Sequence, residues 1–212
     1  EGNGRDLDLA LLRHLPFELP ELQGRATGSG HAEGGLDAFD FEADVDVPAL
    51  RVALPESLRV EGDDPLSPPL GFRGRVGYAD GGLTLRGSLR DEGGQLAEAE
   101  TSVLLDLQSV LEDPSILPSL LDVAPWRLAV RLPPRRVDRW PLPLRRGIPS
   151  PENLLASGTF TLRGGAYRPA GDLAMHVAWL GPEEHGCGPP SRPRVELGAR
   201  LEGGVTKVQL AG

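Results

Sequence analysis

The side chains with most chemical potential in this 212-residue chain are His14, His31, His176, His185 and the single cysteine, Cys187. His185-Gly186-Cys187 sets two metal-ligating residue types beside Glu183 and Glu184. A tetrahedral zinc site needs four ligands at a recognisable spacing, so the stretch reads as a surface loop, over 181–193, with an incidental thiol. Ser29 and His31 pair a hydroxyl with a base, but they lack a third partner, and no GxSxG motif is present. The run GSGHAEGG, from Gly28 to Gly35, has neither the lysine of a phosphate-cradling GxxxxGK[ST] loop nor the context of a dinucleotide fingerprint, and reads as a flexible turn. Asp40, Glu42, Asp44 and Asp46 offer oxygen ligands suited to calcium. Alternate residues on a strand stand roughly 7 Å apart and project in a line, so this row reads as a solvated strand face. These patterns predict no enzyme, no metal site and no cofactor.

The elements beneath them follow a period of two. In FDFEADVDV, Phe39, Phe41, Ala43, Val45 and Val47 face one way and the carboxylates face the other, as on a strand with one dry and one wet face. A helix would scatter the same carboxylates around its circumference. Phe72, Gly74, Val76 and Tyr78 alternate with Arg73 and Arg75; past Asp80-Gly81-Gly82 the pattern resumes at Leu83, Leu85, Gly87 and Leu89. Asp-Gly between alternating runs is a strong hairpin signal. Further strands are predicted around Ala97 to Leu107, Trp126 to Leu132, Ala156 to Leu162, Leu173 to Trp179 and Val195 to Leu210. The spacing of Val110, Leu111, Ile116, Leu117, Leu120 and Leu121 predicts a short helical segment over 109–122, limited by Pro114 and Pro118. Residues 133–151 read as a Pro/Arg-rich connection.

About ten such strands with almost no helix predict an all-β, antiparallel-rich fold. Aromatics are 5% of residues, while Gly and Pro number 28 and 21, a balance poor in the large rings that usually knit two sheets together. A quasi-repetitive sheet is therefore weighed against a closed sandwich or barrel. Both ends cut through patterned sequence, and the chain is read as part of one extended β-repeat domain, 1–212. The net charge of −9, with arginines scattered among carboxylates, argues against nucleic acid. The densest basic cluster, Arg131, Arg135, Arg136, Arg139, Arg145 and Arg146, is broken by prolines and reads as a solvated connection, with an anionic-headgroup or partner site as the alternative. No run approaches the roughly 18 apolar residues of a membrane span.

The segments VPALRVALPESLRVEG, LTLRGSLRDEGGQL and PWRLAVRLPPRRV, and above all LASGTFTLRGGAYRPAGDLAMHV followed by VELGARLEGGVTKVQL, resemble the C-terminal region of TamB-type proteins of the Gram-negative envelope, relatives of AsmA. That resemblance covers most of the chain and rests on repeated style more than on invariant residues. It implies a long sheet curled into an open, taco-like trough with an apolar concave face. It further implies a periplasmic location between the two membranes, an inner-membrane anchor elsewhere in the full-length protein, an outer-membrane partner of the TamA type, and phospholipid transport. Help in assembling outer-membrane β-barrel proteins is the other activity it implies.

On this reading the acyl chains of phospholipids lie against Phe39, Phe41, Val45, Val47, Phe72, Val76, Tyr78, Leu83, Leu85, Leu89, Phe160, Leu162, Leu173, Met175, Val177 and Trp179. Small residues among them, including Ala43, Gly74, Gly87, Ala97, Ala99, Ala156 and Gly158, are expected to keep the trough wide. Two rival readings remain: a chaperone-like role in which sheet edges accept client strands, and a structural β-repeat with a dry, closed core.

Overall fold

The computed structural model describes residues 2–10, 21–35, 38–54, 56, 64–140, 151–165, 170–179, 194–202 and 205–211. Its strands are β1 (Gly2–Asp8), β2 (Leu22–Gln23), β3 (Arg25–Gly35), β4 (Ala38–Val52), β5 (Leu70–Ala79), β6 (Gly82–Asp91), β7 (Gly94–Leu104), β8 (Trp126–Arg136), β9 (Leu154–Gly164), β10 (Ala170–Trp179), β11 (Arg194–Glu202) and β12 (Val205–Ala211). They form a single 12-stranded sheet in the order β1-β3-β4-β5-β6-β7-β8-β9-β10-β11-β12, with the two-residue β2 paired to the end of β4. Each strand along that path is antiparallel to its neighbours. The sheet is unclosed and curled, the all-β architecture that the alternation predicts.

Local chemistry explains the hairpins. Asp80 (φ 51°) and Gly81 (φ 74°) both occupy the left-handed region, as a two-residue turn matched to the strand twist requires. Between β7 and β8 lie α1 (Leu107–Glu112), a 3-10 turn (Pro114–Ile116) and α2 (Leu117–Val123). The Asp106 carboxylate caps α1 by accepting from the Ser109 amide at 3.1 Å. Pro118 sits in the first turn of α2, where its missing N–H is not needed, so it starts this helix and does not break it.

Two expectations are corrected. Gly28–Gly35 is not a turn, because β3 runs through it. Gly28 lies opposite Val45, and a Cβ there would stand 2.7 Å from the Asp44 carbonyl oxygen, so glycine permits the close approach of β3 to β4. The Pro/Arg connection also begins later than Pro133, since β8 continues to Arg136. Pro133 and Pro134 fall within a register shift between Leu132 and Arg135, beyond the last β7 partner, Arg131 opposite Glu98. Prolines are tolerated at such a bulge because no ladder hydrogen bond is asked of them there. Residues 141–150 of that connection, and the loop 181–193 with His185 and Cys187, lie outside the described residues.

The bulge delivers Arg135 to a buried position, against the solvated role expected of it. Its Nη2 stands 2.7 and 2.6 Å from the Asp91 carboxylate oxygens, and its Nε donates to the Arg139 carbonyl at 2.9 Å. The two side chains are 8% and 17% exposed. Gly93 leaves room for the guanidinium, which a Cβ would approach to 2.6 Å. This pair ties the β6–β7 turn to the end of β8.

Replacing Asp91 by Ala strands a buried guanidinium and is expected to cost about 3 kcal/mol in urea unfolding. The double replacement Asp91→Leu with Arg135→Met should recover most of that loss, because it removes both charges together.

Candidate functional site

Directly opposed residues of an antiparallel ladder share a face, so the register assigns every side chain to one side of the sheet. One row runs Ala43, Val76, Leu85, Thr101, Leu128, Leu162, Gly171, Leu201. The next runs Val45, Gly74, Gly87, Ala99, Val130, Phe160, Leu173, Ala199, Val208. Val47, Phe72 and Leu89 continue a third row, as do Gly158, Met175, Leu197 and Leu210. Every residue expected to meet acyl chains falls on this one face. At about 4.8 Å between neighbouring strands, the rows from β4 to β12 extend over about 38 Å.

No second layer covers the face among the described residues. Val76, Leu83, Leu85, Leu89, Phe160, Leu162, Leu173, Met175 and Val177 are half-buried, although they occupy interior strands. Val47 and Tyr78 are buried, at 2% and 8%, and Trp179, at the end of β10, is 36% exposed. No large side chain is fully buried among the described residues. The chain exposes 14544 Å², whereas a compact monomer of 22.6 kDa exposes about 9,500 Å². The lane is thus a continuous apolar surface shielded chiefly by its own side chains.

Its glycines do not hold it open as expected. The Phe72 ring lies over the facing pair Gly74 and Gly87, where added Cβ atoms would meet it at 2.7 and 2.5 Å. Trp126 covers Gly164, and Met175 covers Gly158. Glycine here gives large side chains a floor on which to lie flat, so apolar area is buried sideways within one layer. Towards one margin, Phe39, Phe41 and Tyr78 form a ring cluster with centroids 5.9 to 6.5 Å apart. The Tyr78 hydroxyl donates to the Leu105 carbonyl at 3.1 Å, which fixes the start of the helical connection over this margin.

The opposite face is a charge ladder. Asp46 pairs with Arg73 at 3.1 Å, Asp44 with Arg75 at 2.8 Å, Glu100 with Arg86 at 2.9 Å and Asp172 with Arg200 at 2.8 Å. All are exposed pairs between neighbouring strands, and they set register more than they add stability. Arg75 is held above its ordinary pKa, first by its hydrogen bond to Asp44; the same effect from Asp172 raises Arg200. Glu42, Asp44 and Asp46 of the carboxylate row are therefore engaged with Arg73 and Arg75 of β5, while Asp40 lies opposite Glu33, and no group of three possible metal ligands converges among the described residues. No helix among them is long and apolar enough to cross a membrane.

Sequence reasoning missed the share of the lane contributed by Val103, Trp126, Leu128 and Val130, which stand in register between the two halves that it identified. Their alternation was visible. It also missed Arg135 on the lane side of β8, for which no local signal exists.

Among the described residues, a one-layer β-sheet with an apolar lane and a wet back defines this protein by architecture. Comparison with protein-family models, with curated proteins and with solved structures finds no match in any of the three.

Gly87→Ala should displace the Phe72 ring and cost about 1–3 kcal/mol in chemical denaturation. Pairing it with Phe72→Leu should give a smaller loss than the sum of the two single changes, because the two sites share one contact.

Proposed function

We propose that this sheet is a non-enzymatic conduit segment along which phospholipid acyl chains pass between the inner and outer membranes of a Gram-negative envelope. The observation that carries the reading is the half-buried apolar face that runs across the sheet from β4 to β11, without a second layer among the described residues. Burial of each methylene against such a surface is worth about 0.8 kcal/mol, so acyl chains are held without any directional contact and remain free to slide. The wet face lets the same sheet stand in an aqueous compartment, which on this reading is the periplasm. The TamB-like style of the repeats supports the same assignment and brings with it an outer-membrane partner of the TamA type. The reading calls for no cofactor and no catalytic group.

A second reading has a specific observation behind it. Val208 and Leu210 on β12, at the end of the strand order, are 64% and 73% exposed. An apolar edge of this kind suits the pairing of an incoming strand, as assembly of outer-membrane β-barrel proteins would require.

Photoreactive side chains at Val76 or Leu85 should crosslink lipid at least about tenfold more than the same groups at Asp44 or Arg86. Val76→Arg or Leu85→Arg in the full-length protein should block lipid passage with the far-ultraviolet β signal retained. Equal crosslinking from the two faces, or client-protein adducts confined to β12 with no lipid in the lane, would decide for the edge-pairing role.

A further inference from the structure

Among the described residues, two arginines of the wet face stand opposite each other with no carboxylate partner for either. Arg127 of β8 lies directly opposite Arg163 of β9, with Ser102 on the outer side of one and Ala170 on the outer side of the other. Arg73, Arg75, Arg86 and Arg200 each meet a carboxylate of a neighbouring strand, but among the described residues neither Arg127 nor Arg163 forms an ion pair. Like charges directly opposed across a ladder destabilise it, with Cβ atoms only about 5 Å apart. Both arginines are exposed, and both line a cleft of about 610 Å³.

The rest of that lining gives the cleft its character. Thr84 and Ser102 line it on the wet side, where the Thr84 hydroxyl donates to the Gly77 carbonyl at 3.3 Å, and Leu104 and Pro125 add apolar surface. Leu104, 59% exposed, stands opposite Gly82 in the last pair of the β6–β7 ladder, so the cleft runs from the arginine pair to the margin of the sheet, around which the apolar face lies. Two guanidinium forks beside the Ser102 hydroxyl match the oxygens of a phosphate, and Leu104 and Pro125 match the start of a hydrocarbon tail.

We infer that Arg127 and Arg163 form a headgroup site for an anionic amphiphile, in which a phosphate neutralises the arginine pair while its acyl chain turns over the sheet margin into the lane. The tail half of this inference rests on the acyl-conduit reading; the head half rests on the arginines alone. The site would favour a terminal phosphate ester over an uncharged head.

Three soluble probes separate the parts: lysophosphatidic acid, the monoacylglycerol with the same acyl chain, and glycerol 3-phosphate, each titrated calorimetrically below its micelle concentration. The expected order is lysophosphatidic acid at least about tenfold tighter than either of the others, with a gain that shrinks as salt is raised. The double variant Arg127→Gln with Arg163→Gln should bind lysophosphatidic acid only as well as monoacylglycerol and leave monoacylglycerol binding unchanged. Equal binding of lysophosphatidic acid and monoacylglycerol by the wild type would overturn the headgroup site and leave the conduit reading standing. Glycerol 3-phosphate binding as tightly as lysophosphatidic acid through the arginines would make this a site for a free phosphate ester and overturn its lipid assignment. Binding of none of the three would sink both readings.

Discussion

A sheet that has to keep its apolar face without a second layer is the constraint from which the other features follow. In a sandwich, two apolar faces exclude water from each other and the large side chains interlock between them. Here the ladder hydrogen bonds satisfy the backbone laterally, and the side chains must shield one another within a single layer. Phe72 over Gly74 and Gly87, Trp126 over Gly164 and Met175 over Gly158 are three instances of one solution. A small residue on one strand lets a large residue on the same strand or its neighbour lie flat, trading upward reach for lateral contact. Much of the composition follows from this, since a chain rich in glycine and poor in aromatics can still bury apolar area if each ring has a floor to lie on.

The wet face solves the complementary problem of register. A one-residue slip would turn every Leu and Val outward, and charge pairing between adjacent strands penalises it at several points. Asp46 with Arg73, Asp44 with Arg75 and Asp172 with Arg200 are each too exposed to contribute much to stability, yet a one-residue slip breaks all three at once. The buried pair of Arg135 with Asp91 is of another kind: it fixes the far end of β8 where the ladder to β7 has stopped.

Much of this architecture was legible in the alternation itself. Phe39 to Val47, Phe72 to Tyr78 and Leu83 to Leu89 declare which side is dry, and Asp80-Gly81 declares the hairpin between two of those strands. What could not be read locally was anything that depends on a partner strand. Gly28 to Gly35 looks like a turn because glycine is flexible, and it is a strand because Val45 and Ala43 lie too close for a larger neighbour. Pro133-Pro134 looks like a break in structure and proves to be a bulge that delivers Arg135 to Asp91, 44 residues earlier in the chain. The cleft beside Arg127 and Arg163 was equally hidden, since each arginine is unremarkable in its own strand and acquires meaning only when register sets the two side by side.

From β4 to β11, each strand of the path is flanked by the strands before and after it in the chain. Mechanical load therefore meets this protein in an unusual way. Tension applied across the sheet, from its β3 side to its β12 side, acts at right angles to the strands, so ladder bonds give way a few at a time, like a zipper, and not all at once in shear. Such a sheet yields softly and in steps of one strand. Each strand that peels away leaves the remaining ladder paired and able to re-form the lost hairpin once the load is released.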